Sequence, residues 1–164
     1  ERDAAAEKAA ALEAELAALK TTPAAPAAEP APAAEIVAVA RDCARDIKGL
    51  LSSRRITFQT GSADLDPSGI ELVSQLAEAA KPCIDTNKLS LVISGHTDNV
   101  GRPAKNLELS RQRADAVRAA FIERGLASDA MDAQGFGEMK PIANNRTEKG
   151  REANRRISFD WLTR

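Results

Sequence analysis

A strand, a polar turn and a long helix follow one another between Leu89 and Gly125, and this succession restricts the fold more than any other feature. Apolar and polar residues alternate at its start, which is the pattern of a half-buried strand, and Gly95 ends the alternation. A helix then begins between Pro103, which suits the first helical position, and Asn106, a good capping residue. Its inward-facing positions recur in steps of three and four residues, at Leu107, Ser110, Ala114, Val117 and Phe121. The pattern favours a helix that packs on the sheet containing the strand.

Two opposite charges lie at the junction of this strand, turn and helix. Asp98 lies in the turn, and Arg113 lies at the edge of the apolar stripe of the helix, from where its guanidinium can turn back toward the turn. The two side chains can form an ordinary ion pair, which when exposed stabilises a protein by only ~0–1 kcal/mol. They can also hold the ammonium and the carboxylate of one amino acid, the arginine binding bidentately. Spacing alone favours the ion pair.

Further elements are predicted on both sides of this segment. Periodicity predicts a leading helix over residues 35–51, a strand over 54–59, a helix that Asp66 caps and Lys81-Pro82 ends, a weak strand over 130–136, a short helix over 147–154 and a closing strand over 156–162. The inward-facing positions of the first two helices are Ile36, Val39, Cys43, Ile47 and Leu50, then Ile70, Val73, Ala77 and Ala80. In the closing strand they are Ile157, Phe159 and Trp161.

This order predicts an α/β (α+β) two-layer sandwich of βαβαβ-β type, with an extra helix in front. The sheet is expected to be mixed, with the two long helices on one of its faces. Right-handed crossovers would bring the loop after residue 59 and the loop that carries Asp98 to the same end of the sheet. A cleft is therefore expected between these two loops.

The first 34 residues differ in composition from the rest. Residues 1–20 place Ala and Leu at four-then-three spacing, which predicts a coiled-coil seam or a helical spacer. Residues 21–34 alternate Pro and Ala, which predicts a semi-extended linker. The folded domain is then expected over residues 35–164. We also expect an upstream anchoring or targeting segment in the parent protein, because the chain starts at Glu1 without Met and without a signal peptide.

Charge and composition argue against several classes of function. The formal net charge is −1. The chain has an Arg-rich end, but it has no Tyr and few other aromatic residues to stack bases, and acids balance the basic residues overall, which disfavours nucleic acid as a partner. Two Cys and one His are too few for a zinc site. The single histidine, His96, has no nucleophile in its turn, and no paired catalytic carboxylates are evident, so neither an enzyme nor a cofactor is expected.

Three ordered motifs resemble the OmpA-like peptidoglycan-binding domain of OmpA, Pal and MotB relatives. They are GHTDNVG, NLELSRQRADAV and GFGEMKPIANNRTEKGREANRRISF, within a match from about residue 54 to 162. The resemblance implies non-catalytic binding of peptidoglycan in the periplasm of a Gram-negative-type cell, tethering a membrane-anchored envelope protein to the wall. The alternative is a structural module that makes protein contacts and oligomerises through the upstream coil.

The resemblance also implies the site residues. In that family the Asp and Arg at the positions of Asp98 and Arg113 hold the diaminopimelate of the stem peptide. Backbone contacts are implied for the loop residues Thr60, Gly61 and Ser62, and ligand contacts for Thr97 and Asn106. Arg155, in the NRR segment, is expected to order the site from beneath. Many relatives have Asp where this chain has Gln59, so no carboxylate contribution is expected from that loop.

Two cysteines leave two interpretations open. Cys43 lies on the apolar face of the leading helix, and Cys83 follows the predicted end of the next helix, so the pair can be two buried thiols or a disulfide. Some OmpA-like domains with a leading helix carry a similarly placed pair. The resemblance therefore implies a disulfide and an oxidising compartment. Such a bridge closes a loop of about 40 residues and would stabilise the fold by about 4 kcal/mol in the chain-entropy treatment.

Overall fold

The computed structural model describes residues 32–85 and 89–163, with side chains described from residue 35 onward. The predicted coil over residues 1–20 and most of the predicted 21–34 linker lie outside this range. The helices are α1 (Pro32–Ser53), α2 (Pro67–Asp85), α3 (Pro103–Glu123) and α4 (Glu148–Asn154), and the strands are β1 (Leu89–Gly95), β2 (Met131–Gly135) and β3 (Ile157–Thr163). A 3-10 turn, Ser128–Ala130, leads into β2.

The three strands form a mixed sheet, with β1 in the centre. Within the described residues the order is β2-β1-β3, with β2 parallel and β3 antiparallel to β1. Leu91 and Ile93 of β1 are fully buried against α2 and α3, in the same cluster as Leu72, Val117 and Phe121. The predicted α/β fold, with a mixed sheet, a layer of long helices and an extra N-terminal helix, is confirmed.

The strand predicted over residues 54–59 is not a strand of this sheet. Phe58 forms only an isolated antiparallel bridge with Leu65. The segment instead uses its backbone locally, since the Thr57 carbonyl accepts from Asp66 N at 3.2 Å and the Gln59 carbonyl accepts from Ser62 N at 3.0 Å. Hydrogen bonds within its own loop thus replace those of a sheet ladder.

Helix boundaries differ from the prediction in two places. Helix α1 begins at Pro32, inside the predicted linker, because proline is tolerated in the first helical turn. Helix α2 does not end at Lys81-Pro82 but continues through Pro82 to Asp85. The buried side chains of Cys83 and Ile84 extend its packed face into this last turn. Packing in the core thereby outweighs the tendency of proline to break a helix.

Two predicted core positions are exposed. Ile70 of α2 is 47% exposed and Leu107 of α3 is 43% exposed. The buried face of α2 is shifted, and it consists of Gly69, Leu72, Val73, Leu76, Ala77, Ala80, Cys83 and Ile84. Asp66 caps this helix as predicted, its Oδ1 accepting from Gly69 N and from the Thr57 hydroxyl, each at 2.7 Å.

A disulfide joins the leading helix to the rest of the domain, which confirms the pairing of Cys43 with Cys83. The two Cα atoms are 6.2 Å apart. The bridge is buried beside Leu89 at the start of β1, and partly buried side chains of α1 and Trp161 of β3 pack around it. Helix α1 is therefore held by both a covalent link and an apolar contact.

Gly95 sets the distance between the end of β1 and helix α3. A Cβ added at Gly95 would collide with the Ser110 carbonyl, whereas one added at Gly49, on the exposed side of α1, would meet nothing within 4 Å. We expect Gly95→Ala to lower the free energy of unfolding by about 2–3 kcal/mol through overpacking. The control, Gly49→Ala, should raise it by about 0.5–1 kcal/mol through helix propensity. Urea titrations of both variants measure this, and equal stability would contradict the close packing.

Candidate functional site

The loop after β1 is buried and tightly fixed. His96, Thr97 and Asp98 are each less than 10% exposed. Their backbone is held from both sides, because His96 N donates to Arg156 O and Thr97 N donates to Gly137 O, each at 2.9 Å. A loop held in this way presents its acidic side chain in one position.

The carboxylate of Asp98 forms an ion pair with Arg155, not with Arg113. Arg155 Nη1 donates to Asp98 Oδ2 at 2.7 Å, and Val100 N donates to Oδ1 at 3.0 Å. The Asp98 side chain remains 12% exposed. Each carboxylate oxygen has a second lone pair, so Asp98 can still accept a hydrogen bond from a ligand.

Arg113 lies between the two predicted loops. Its Nε donates to Ser62 O at 3.1 Å, and its guanidinium lies 4.9 Å from the centroid of the Phe58 ring. Ser62 O is the only hydrogen-bond acceptor that Arg113 contacts within residues 35–85 and 89–163. The two terminal nitrogens of its guanidinium are therefore available for a bidentate contact with an anion.

Asp98, Arg113 and Arg155 act on one another electrostatically. The pKa of Arg113 is lowered by its burial, and then by the positive charge of Arg155, while the negative charge of Asp98 opposes both. The pKa of Arg155 is raised by its hydrogen bonds to Glu148 and Asp98. The acid and the arginine singled out in the sequence thus belong to one cluster, with a second arginine between them that spacing did not predict as their partner.

A cavity of about 270 Å3 opens beside this cluster. Of the two predicted ligand-binding charges, Arg113 lines the cavity, whereas Asp98 borders it through its ion pair with Arg155. The other charged groups around the cavity are Arg55, Asp66, Glu152, Arg155 and Arg156. Arginines outnumber carboxylates in this lining, so the cavity favours an anionic group.

The loop of Thr60, Gly61 and Ser62 packs against Arg113 through backbone, as the Ser62 carbonyl contact shows. Gly61 has a φ of 72°, a conformation that favours glycine. The Ser62 hydroxyl donates to Asp64 Oδ2 at 2.6 Å and so is engaged within the loop. Thr60 and Gly61 are exposed beside it.

Thr97 and Asn106 hold the loop that carries Asp98. The Thr97 hydroxyl donates to Asp98 O at 2.9 Å. The amide nitrogen of Asn106 contacts Val100 O at 3.1 Å and Glu138 Oε2 at 2.9 Å, and Asp98 O more distantly at 3.4 Å. Both side chains are buried, so their contribution here is to fix the loop, and their ligand contacts stay a prediction.

Glu148 and Phe58 are site residues that the sequence did not reveal. Arg155 Nη2 donates to Glu148 Oε1 at 2.9 Å, and Arg151 also pairs with Glu148. These ion pairs orient the guanidinium of Arg155 toward Asp98. The only signal for Glu148 was its place in the first turn of α4, where acids are common for capping reasons. Phe58 lies in the segment predicted as a strand over residues 54–59, and nothing in the pattern of that segment indicates a cation contact.

His96 is neutral in the folded protein. Its ring stacks on Phe136 with centroids 5.4 Å apart, and its Nε2 shares a 3.1 Å hydrogen bond with the Ser158 hydroxyl. Its pKa is lowered from 6.5 to about 4, mainly by burial and in addition by the positive charges of Arg156 and Lys140.

This shift predicts a pH dependence of stability. Between pH 6.5 and about 4 the unfolded chain binds a proton at His96 that the folded protein does not bind. The free energy of unfolding should therefore fall as the pH falls through that window, by at most about 3 kcal/mol. Urea titrations from pH 7 to 4 on the wild type and on His96→Gln measure the effect. An identical slope for both proteins would show that His96 is not its source.

Across residues 32–85 and 89–163, no group of three or more His, Cys, Asp or Glu side chains is arranged to hold a metal ion. In those two ranges no helix combines the length and the apolar character needed to span a bilayer.

Comparisons with known proteins agree with the fold and with the sequence motifs. Peptidoglycan-binding protein ArfA of Mycobacterium tuberculosis H37Rv is 38% identical over 104 residues, which are 63% of this chain and 31% of ArfA. Probable lipoprotein YiaD of Escherichia coli K12 is 36% identical over 104 residues, 63% of this chain and 46% of YiaD. The chain thus spans a third to a half of the length of these curated relatives.

A solved structure and a family model extend this result. The peptidoglycan-associated lipoprotein from Burkholderia pseudomallei superimposes with a TM-score of 0.61 at 29% identity, covering 74% of this chain and 100% of that one. A model of the OmpA family matches residues 57–155, which is more than half of the sequence and includes the first two motifs and most of the third. The resemblance read from those motifs is confirmed, and the chain belongs to the OmpA family.

Proposed function

We propose that this protein binds peptidoglycan without catalysis, through the diaminopimelate of the stem peptide, and so tethers an envelope protein to the cell wall. The observation that carries the proposal is the placement of the Asp98 carboxylate and the free terminal nitrogens of Arg113 in one charged cluster. The similarity to a protein named for peptidoglycan binding and to one named as a peptidoglycan-associated lipoprotein supports it.

Diaminopimelate matches these two charges chemically. Its side chain ends in an amino-acid head group, with an ammonium and a carboxylate on one carbon. The ammonium would donate to the free lone pairs of Asp98, and the carboxylate would accept two parallel hydrogen bonds from Arg113. In a stem peptide, a lysine side chain ends in the same ammonium but lacks the carboxylate on that carbon. Arg113 is therefore the group that would distinguish the two amino acids.

The other residues of the site would prepare these two charges. Arg155 fixes one oxygen of Asp98, and the phenyl ring of Phe58 and the carbonyl of Ser62 fix the guanidinium of Arg113. Groups that are held in place before binding lose little conformational entropy when the ligand arrives. Thr60, Gly61 and Ser62 would line one side of the ligand with backbone, and Thr97 and Asn106 would keep the opposite loop in position.

We place the domain in the periplasm of a Gram-negative-type cell, joined to a membrane through another segment of the same protein. The disulfide supports an oxidising compartment, since cytosolic thiols are normally kept reduced. Relatives named as an outer membrane protein and as an outer-membrane lipoprotein agree with an envelope location.

Calorimetric titration tests the proposed specificity. Purified protein is titrated with meso-diaminopimelic acid and, as the control, with Nα-acetyl-lysine amide, in which the α-ammonium and the α-carboxylate are blocked and only the side-chain ammonium remains. We expect saturable binding of diaminopimelic acid and at least roughly tenfold weaker binding of the lysine derivative, because a guanidinium left without its carboxylate loses more than ~1.4 kcal/mol. Equal affinity for both ligands, or binding of neither, would refute the proposal.

A further inference from the structure

The cavity beside Arg113 contains more positive charge than one carboxylate requires. Besides Arg113 and Arg155 it is lined by Arg55 and Arg156, which come from the segment before Phe58 and from the start of β3. Its two acids are already engaged. Asp66 accepts from Thr57 and Gly69, and Glu152 pairs with Arg55 at 3.2 Å.

Two buried nitrogens in this lining have no partner among the described residues. They are Nδ1 of His96, a residue only 4% exposed, and Nη1 of Arg156. Buried polar atoms are nearly always hydrogen-bonded. A guanidinium nitrogen can only donate, so the unpaired Nη1 of Arg156 lacks an acceptor, which a ligand in this cavity could supply. The role of the His96 nitrogen depends on the tautomer of its ring. Arg156 uses its other terminal nitrogen on Lys140 O at 3.2 Å, which holds the guanidinium at the cavity wall.

We propose that the Arg55 and Arg156 side of this cavity binds a second carboxylate of the same stem peptide. The inference rests on the proposed function, because the cavity is shared with Arg113, which would hold the carboxylate of the diaminopimelate head group, and with Arg155, which fixes Asp98. Arg55 is the accessible member of the pair, with half of its side chain (51%) exposed. Its Nη1 contacts the carbonyl and the carboxylate of Glu152, so a ligand would use the other nitrogens of its guanidinium. Arg156 is the less exposed member.

A carboxylate fits this subsite better than the other groups of a wall peptide. A guanidinium binds a planar carboxylate bidentately. The acids in the cavity lining, Asp66 and Glu152, are already engaged and leave no partner for an ammonium on this side. Stem peptides of the diaminopimelate type carry such a group next to the diaminopimelate, on the γ-linked glutamate whose α-carboxylate is free. The subsite would therefore recognise the neighbouring residue of the peptide, beyond the diaminopimelate itself.

The test compares three probes on two variants. The probes are meso-diaminopimelic acid, the tripeptide L-Ala-γ-D-Glu-meso-diaminopimelate, and the same tripeptide with the glutamate α-carboxylate amidated. The variant is Arg55→Gln. The matched control is Arg54→Gln, which removes the same charge from a neighbouring arginine that pairs with Glu71 at 3.4 Å and does not line this cavity. Thermal melts establish that both variants fold.

We expect Arg55→Gln to weaken the tripeptide roughly fivefold, which is the size of one half-exposed charge contact. It should leave diaminopimelic acid and the amidated tripeptide at wild-type affinity, and Arg54→Gln should leave all three probes unchanged. An unchanged tripeptide affinity in Arg55→Gln, or an equal loss for all three probes, would overturn the second-carboxylate subsite while diaminopimelate binding stands. Failure of the wild type to bind any of the probes would overturn the proposed function and the subsite together.

Discussion

Replacing Arg113 with glutamine is expected to weaken the binding of diaminopimelic acid by at least roughly thirtyfold. The side chain would lose its charge while the ligand carboxylate remains in a partly buried site, and truncating one partner of such a charge pair costs ~2–5 kcal/mol. The fold should tolerate the change, because Arg113 makes only one hydrogen bond to described residues, to the carbonyl of Ser62. Calorimetric titration measures the affinity, and a thermal melt checks the fold.

Replacing Asp98 with asparagine should weaken binding to a similar extent. Asparagine keeps an acceptor for Val100 N but removes the negative charge that would receive the ligand ammonium. Arg111→Gln is the matched control, because Arg111 lies on the same helix two residues before Arg113, is 74% exposed at its side chain and pairs only loosely with Asp115 at 4.0 Å. Wild-type affinity in either site variant, or an equal loss in the control, would contradict the assigned roles.

Removing the disulfide should lower the free energy of unfolding by about 4 kcal/mol. Cys43 and Cys83 are 40 residues apart in sequence, and closing a loop of that length removes about this much chain entropy from the unfolded state. The whole free energy of unfolding of a domain is only about 5–15 kcal/mol, so this loss would be a large part of it. Urea titrations of the wild type with and without reductant measure it.

The double variant Cys43→Ala/Cys83→Ala is the control for this prediction. It should match the reduced wild type approximately and should not respond to reductant. If reductant leaves the urea midpoint of the wild type unchanged under conditions in which a thiol assay shows complete reduction, the stabilising role of the bridge is wrong.

Local periodicity predicted the elements that bury their apolar faces in the main core. Strand β1 and helix α3 fall where alternation and three-to-four spacing placed them, because Leu91, Ile93, Val117 and Phe121 meet in one cluster. The segment 54–59 has the alternation of a strand, but it does not pair with a strand of the sheet. Its carbonyls bond within the following loop, a choice that depends on how the whole segment turns and that alternation does not encode.

The charged cluster could be predicted only in part, and for a physical reason. The motifs marked Asp98 and Arg113 through their resemblance to a family, whereas spacing alone favoured a plain ion pair between them. The structure pairs Asp98 with Arg155, which is 57 residues away in sequence. Contacts at that separation are determined by where α4 and β3 return to the sheet, and no local pattern carries this information.

A crystal structure of the protein with the diaminopimelate tripeptide tests the central claim most directly. The account predicts the side-chain ammonium of diaminopimelate within hydrogen-bond distance of the Asp98 carboxylate, and the carboxylate on the same carbon bidentate to the terminal nitrogens of Arg113. A peptide bound with its diaminopimelate away from both side chains would contradict it.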